Sequence, residues 1–167
     1  MREGKNIEGI DPKTLENGNV LRYLAQRALE SREPLHYMQA MNCLRDSRIV
    51  LPCEFRMSDS AAKMFMNAKE GDTIAPNESL RFVPDTVKCG DEFYLPVFSS
   101  EDQMGDEYRS QCSKMVMDFP EALNIADARS DLAGIILDPF TVHLCVSRKL
   151  YDFVRDLPSK LRDDSEA

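Results

Sequence analysis

The sequence predicts an α/β (α+β) fold. It is read as a mixed β-sheet of about five to six short strands covered by helices, entered through an N-terminal helical hairpin. Three observations predict it. Residues 93–102 and 132–140 are apolar strands that stop at punctuated edges, one at Ser99-Ser100 and one at Asp138-Pro139. Two amphipathic stretches joined by a tight turn come first, over residues 19–46. After Phe98 the hydrophobic period alternates between that of strands and that of helices.

Each element has its own warrant. Val20, Leu21, Leu24, Ala28 and Leu29 share one face of a first helix spanning roughly Asn19 to Ser31. Pro34 suits the first turn of a second helix, because its missing N–H would be unsatisfied there anyway. That helix runs to about Asp46, with Leu35, Met38, Met41 and Leu44 as its apolar face. Three strands follow, around Ile49–Phe55, Leu80–Pro84 and Tyr94–Phe98, and each carries a proline. Proline cannot donate to a ladder, so the strands should be short and bent, with proline at an edge, bulge or end. The second and third are expected to form a hairpin through Lys88-Cys89-Gly90-Asp91, Gly90 supplying a positive φ. Residues 57–79 read as an insertion, with a short helix capped by Ser58 or Asp59.

Ser99 and Ser100 are helix-cap candidates, with Asp102 and Gln103 three residues on. Lys114–Phe119 reads as a strand, and Pro120 opens a helix carrying Ala122, Ile125, Ala126 and Arg129 on one side. Gly134-Ile135-Ile136-Leu137 is continuously apolar, as a strand buried on both faces would be. A turn at Asp138-Pro139-Phe140 leads to a strand over Val142–Val146, in which His143 points opposite to its neighbours. Ser147 caps a last helix with Leu150, Phe153, Val154 and Leu157, ended by Pro158. The division is thus a flexible lead-in over 1–14, one domain over 15–158 and a charged mobile tail over 159–167.

Composition bounds the function. A chain of 167 residues can bury a core without disulfide or metal staples. The formal charge of −8 disfavours nucleic acid and anionic lipid, whose phosphates need Lys and Arg. No apolar run approaches the roughly 20 residues of a membrane span. The N-terminus lacks a signal-peptide core. Cys43, Cys53, Cys89, Cys112 and Cys145 are odd in number and never closely paired, so zinc and disulfide frameworks are not indicated, and a reducing cytosol fits.

No catalytic, cofactor-binding or metal-binding set emerges. There is no glycine-rich phosphate loop, nucleophile elbow or His-x-x-x-His pair. His143 and Cys145 would share a strand face at roughly 7 Å, too far for a nucleophile pair. The acidic cluster Glu101, Asp102, Asp106 and Glu107 has a structural use at helix starts. Asp138 reads as a turn opener at the end of a buried strand. Met57, Met64 and Met66 in the insertion read as core or cover, with an exposed apolar patch serving oligomerisation as the alternative, and Met115 and Met117 as one core-facing strand face.

Tyr94-Leu95-Pro96-Val97-Phe98-Ser99-Ser100-Glu101, followed by Gly134-Ile135-Ile136-Leu137-Asp138-Pro139-Phe140, resembles the N-terminal domain of the SseB family, bacterial proteins named for enhanced serine sensitivity. The leading helix pair and a first strand carrying Leu51-Pro52 fit that pattern, and the similarity covers roughly Asn19 to Leu157. Asp138 stands where the family often has Asn, and the 57–79 insertion is longer than expected. The C-terminal half of longer members is not expected here. The resemblance implies a cytoplasmic bacterial α/β module without an established reaction, sometimes linked to sulfurtransferase function, and transfers no catalytic residue. The expectation is therefore a non-enzymatic interaction or regulatory module, monomeric or weakly homo-oligomeric. It would bind a protein partner of unknown identity beside Phe98, Phe140, Asp138 and His143, without cofactor, nucleic acid or membrane. The alternative is a small enzyme or accessory subunit in sulfur or serine metabolism that uses a reactive cysteine.

Overall fold

The computed structural model describes residue 15, residues 17–57, residue 66 and residues 80–161. Helix α1 (Asn19–Ser31) and helix α2 (Pro34–Asp46) form the expected hairpin. They are followed by β1 (Arg48–Met57), β2 (Leu80–Pro84), β3 (Val87–Cys89) and β4 (Glu92–Val97). A 3-10 turn (Glu101–Met104) leads to α3 (Asp106–Gln111), β5 (Ser113–Asp118) and α4 (Phe119–Asp127). The chain then forms β6 (Leu132–Leu137), β7 (Leu144–Ser147), a second 3-10 turn (Arg148–Leu150) and α5 (Tyr151–Asp156). The class is mixed α+β, as read from the sequence.

The strands form two sheets, ordered β2-β1-β5 and β3-β4-β6-β7, which makes seven strands among the described residues. The extra strand is β3. The expected hairpin between the second and third apolar runs is replaced by one between β3 and β4, turning at Gly90 with φ 63°. The second run, β2, pairs instead with β1. Pro84 ends β2, and the chain crosses at Asp85-Thr86 from one sheet to the other.

A mutual pair of backbone hydrogen bonds between Val50 and Phe98, at 2.8 and 2.9 Å, joins the sheets. This seam explains the prolines. Val50 and Pro52 direct their backbone groups to the same side of β1, away from β5, because such groups alternate along a strand. The Pro52 carbonyl accepts from Asp85 at 3.0 Å, and no donor is required of Pro52 there. Pro96 shares the phase of Phe98 and falls between the last β3 pair, Val87 with Tyr94, and the Val50 bridge. Pro84 lies in a position whose nitrogen faces away from β1. Central strands thus tolerate proline where the neighbouring strand changes.

The core lies between the sheets' inner face and α1, α2, α4 and α5. Leu21, Leu44, Ile49, Leu51, Leu95, Phe119, Leu123 and Ile135 are among its fully buried members. In α2 the buried face is Ala40, Met41, Cys43 and Leu44, with Tyr37 packed against the core; Leu35 and Met38, expected inside, are exposed because that face is rotated away from them around the helix. At the last helix Val154 is buried and Leu157 packs on the core as expected, and Tyr151 joins them, whereas Leu150 and Phe153 are exposed. At Gly134 the β7 backbone leaves no room for a side chain, since a Cβ there would lie 2.3 Å from the Val146 carbonyl oxygen.

The C-terminal segment is tied down further than expected. Arg45 Nε donates to the Leu157 carbonyl at 2.8 Å, and Asp46 Oδ2 accepts from the Lys160 amide at 2.8 Å. Leu161 packs on the core. The lead-in over 1–14 and tail residues 162–167 lie outside the described residues. So do the expected helix at Ser58 or Asp59 and the rest of the insertion, except Met57, which ends β1, and Met66, which is exposed.

Candidate functional site

Strands β4 and β6 run parallel, and their C-terminal ends lie side by side, with Val97 opposite Leu137. In α/β sheets this is where ligand sites form. All four residues singled out by sequence converge here, two inside and two outside. Phe98 and Asp138 are fully buried; Phe140 is 55% exposed, and His143 is exposed.

Asp138 is more than a turn opener. It adopts φ 47°, a left-handed conformation that Asp and Asn tolerate better than most residues. Its Oδ1 accepts from the Ser99 amide at 2.8 Å and its Oδ2 from the Ser99 hydroxyl at 2.7 Å. Arg22, from the first turns of α1, donates to Ser99 Oγ at 2.8 Å and to Ser100 Oγ at 3.3 Å. Helix α1 reaches so close because position 18 is glycine, with φ 74°; a Cβ there would sit 2.7 Å from the Ser99 carbonyl oxygen. Burial raises the Asp138 pKa, while the Ser99 hydroxyl and amide, and the Arg22 charge, pull it back. Ser99 therefore does not cap a helix as expected. It is spent on a clasp, and the following residues form a 3-10 turn with no side-chain cap bond.

Chemically the clasp is closed. Ser99 Oγ donates to a carboxylate and accepts from a guanidinium, and both Ser99 and Asp138 are sealed from solvent. The Ser99 hydroxyl is thus engaged on both sides, by the Asp138 carboxylate and the Arg22 guanidinium.

His143 does not lie within the last strand. It takes φ 60° immediately before β7, reversing the chain so that its amide donates to the Asp138 carbonyl at 2.9 Å. Its Nδ1 lies 3.2 Å from the Pro139 carbonyl oxygen. The turn is fastened sideways by Thr141 Oγ1 and Gln103 Oε1, 2.8 Å apart.

Outside the clasp is an aromatic cluster that periodicity did not reveal. Phe98 stacks tilted against Phe140 and Tyr108, with ring centroids at 5.8 and 5.9 Å. Tyr108 meets Phe140 edge-on at 5.3 Å. The Tyr108 hydroxyl donates to Asp85, and burial together with that carboxylate pushes its pKa far upward. An open groove of about 510 Å³ runs beside Phe140 and Tyr108, rimmed by Asp102, Asp106 and Glu107. Arg109 pairs with Asp106 at 3.0 Å and reaches Asp102 at 4.0 Å, offsetting part of that charge. The sequence signal for Tyr108 was only its place just after the acidic cluster; Arg22 had none, since its partner lies 77 residues away.

The thiols do not converge on the groove. Cys53 and Cys112 line a separate cleft of about 350 Å³ with Asp85 and Arg129. Burial pushes the Cys43, Cys53, Cys112 and Cys145 thiols upward, and Asp85 adds to the effect at Cys112. Among the described residues, no group of His, Cys, Asp and Glu is placed to hold a metal ion, and no helix is long and apolar enough to cross a membrane.

A family model described as the SseB protein N-terminal domain matches residues 21–147, a span that holds both the clasp and the groove. No curated protein and no solved structure matches the chain.

Proposed function

The chain belongs to the SseB N-terminal domain family, and on that premise we propose that it is a protein-interaction or regulatory module that recognises its partner at the Phe140 groove. The observation that carries the reading is Phe140 itself. A large ring more than half exposed, held edge-on and from below by two other rings, is a preformed apolar anchor. Its acidic rim selects a segment in which an apolar side chain is flanked by Lys or Arg, and the −8 charge favours the approach of such a segment. The clasp beneath makes the anchor rigid, so little ordering entropy is lost on binding. Five free cysteines suit a reducing compartment, and a cytoplasmic location is part of the same proposal.

The test is fluorescence polarisation with a library of labelled peptides that pair Leu or Phe with Lys or Arg. The best peptide should lose at least about tenfold in affinity against Phe140→Ala, and should weaken with added salt. Absence of binding below about 1 mM, or equal binding by the variant, would overturn the reading.

A reactive-cysteine enzyme in sulfur or serine metabolism draws less support, because burial holds the Cys43, Cys53, Cys112 and Cys145 thiols toward the protonated, poorly nucleophilic form. A chromogenic thiol reagent at neutral pH discriminates between the two. One fast-reacting cysteine would favour the enzyme.

A further inference from the structure

We propose that β5 is a self-complementary edge through which two copies of the chain pair antiparallel, centred on Val116. Among the described residues β5 has one strand neighbour, β1, and its other side is open. The Phe119 amide donates to the Ser47 carbonyl at 3.0 Å, which sets the phase of the ladder. With Ile49 opposite Met117 and Leu51 opposite Met115, the odd-numbered residues of β5 bond β1. Lys114, Val116 and Asp118 therefore direct their backbone N–H and C=O groups outward. Val116 is 54% exposed, and the side chains of Lys114 and Asp118 are 28% and 64% exposed.

The sequence of this edge fits its own two-fold image. Pairing Val116 with Val116 of the second copy sets each Lys114 opposite the other copy's Asp118, twice over, about an apolar centre. Centring on Lys114 or Asp118 would instead set like charges together, which is destabilising across a strand pair. An edge guarded against pairing carries charge that repels its own copy; this one carries opposite charges at symmetric distances from its middle. The charges are available. Lys114 reaches Glu101 at 3.9 Å, half-buried, and Asp118 reaches Arg48 at 3.6 Å in the open; both pairs are long and hold their side chains weakly. Six residues of edge bury far less than a stable interface of roughly 1,600 Å², so association is weak and concentration-dependent.

Sedimentation equilibrium of the full chain from about 10 µM to about 1 mM tests the proposal. The mass should rise from 19.0 kDa toward twice that value. Val116→Pro removes an outward amide that β1 does not use, so the variant should keep the fold, checked by circular dichroism, and remain monomeric. Should it fail to fold, the charge series decides. Lys114→Asp and Asp118→Lys should each be monomeric separately, and their equimolar mixture should dimerise, because each then presents the complement of the other. A wild-type chain that stays monomeric throughout, as it would if the edge served another protein's strand, overturns the proposal. So does a charge-reversed variant that dimerises like wild type, or a mixture that does not.

Discussion

Strands β5 and β6 are both six residues long, and they are opposite kinds of strand. β6, Leu132–Leu137, is buried at five of six positions and lies between two neighbours. β5, Ser113–Asp118, buries only Met117 fully and lies at an edge. Both contain apolar runs, so hydrophobicity does not separate them. What separates them is charge within the strand. Lys114 and Asp118 lie inside β5, on the face they share with Val116, whereas β6 has no ionisable residue between Asp131 and Asp138. A charged side chain resists burial on both faces, so β5 suits an edge and β6 a core position.

The sharpest way to break the contrast is to truncate inside β6. Ile135→Ala should destabilise the chain by about 2–5 kcal/mol in denaturant melts, since the buried side chain leaves both its transfer energy and a cavity behind. Removing the acceptor at the end of β6 comes next. Asp138→Ala strands the Ser99 amide and hydroxyl in a dry site, and a loss of about 1–3 kcal/mol is expected. Asp138→Asn keeps an acceptor and tolerates the left-handed backbone, so it should cost less than about 1 kcal/mol.

This pair also has a pH signature. The folded-state pKa of Asp138 is raised, so the folded chain holds that proton more tightly than the unfolded chain. Lowering the pH from neutrality through the folded pKa therefore adds stability to wild type. The gain is complete near the ordinary carboxylate range of about 4. The Asn variant lacks this gain, so wild type should improve relative to it on acidification; a constant gap between their melts would remove the assignment. The smallest effect belongs to the edge. Val116→Thr on β5 should change stability by no more than about 0.5 kcal/mol, which thermal melts can check.

The bounds of the helical hairpin were legible because their signals are local: Pro34 at the start of α2, and apolar residues at helical spacing on both helices. The buried character of β6 was legible from its unbroken apolar run. The partner of β2 was not, because strand pairing is decided by contacts distant in sequence, and the short β3 gave no pattern of its own. The clasp could be read only in part. Ser99 and Asp138 each had a plausible local use, as cap and as turn opener, and their mutual bonds span 39 positions. His143 was misplaced because alternation cannot foresee a positive φ, and Tyr108 was missed because its packing partners lie on other elements.

Pro52 and Pro96 stand at the seam between the sheets, where no donor is asked of them. Their consequence is one of folding fidelity. Were β1 to slip by one residue against β5, or β4 against β6, each proline would turn toward a neighbour that needs an N–H it lacks. The orphaned carbonyl would cost about 1–3 kcal/mol in addition to the inversion of every core side chain on that strand. Two residues that donate nothing to the correct ladder thus raise the energy of the nearest wrong ones, and the chain is steered into its register by what it cannot do elsewhere.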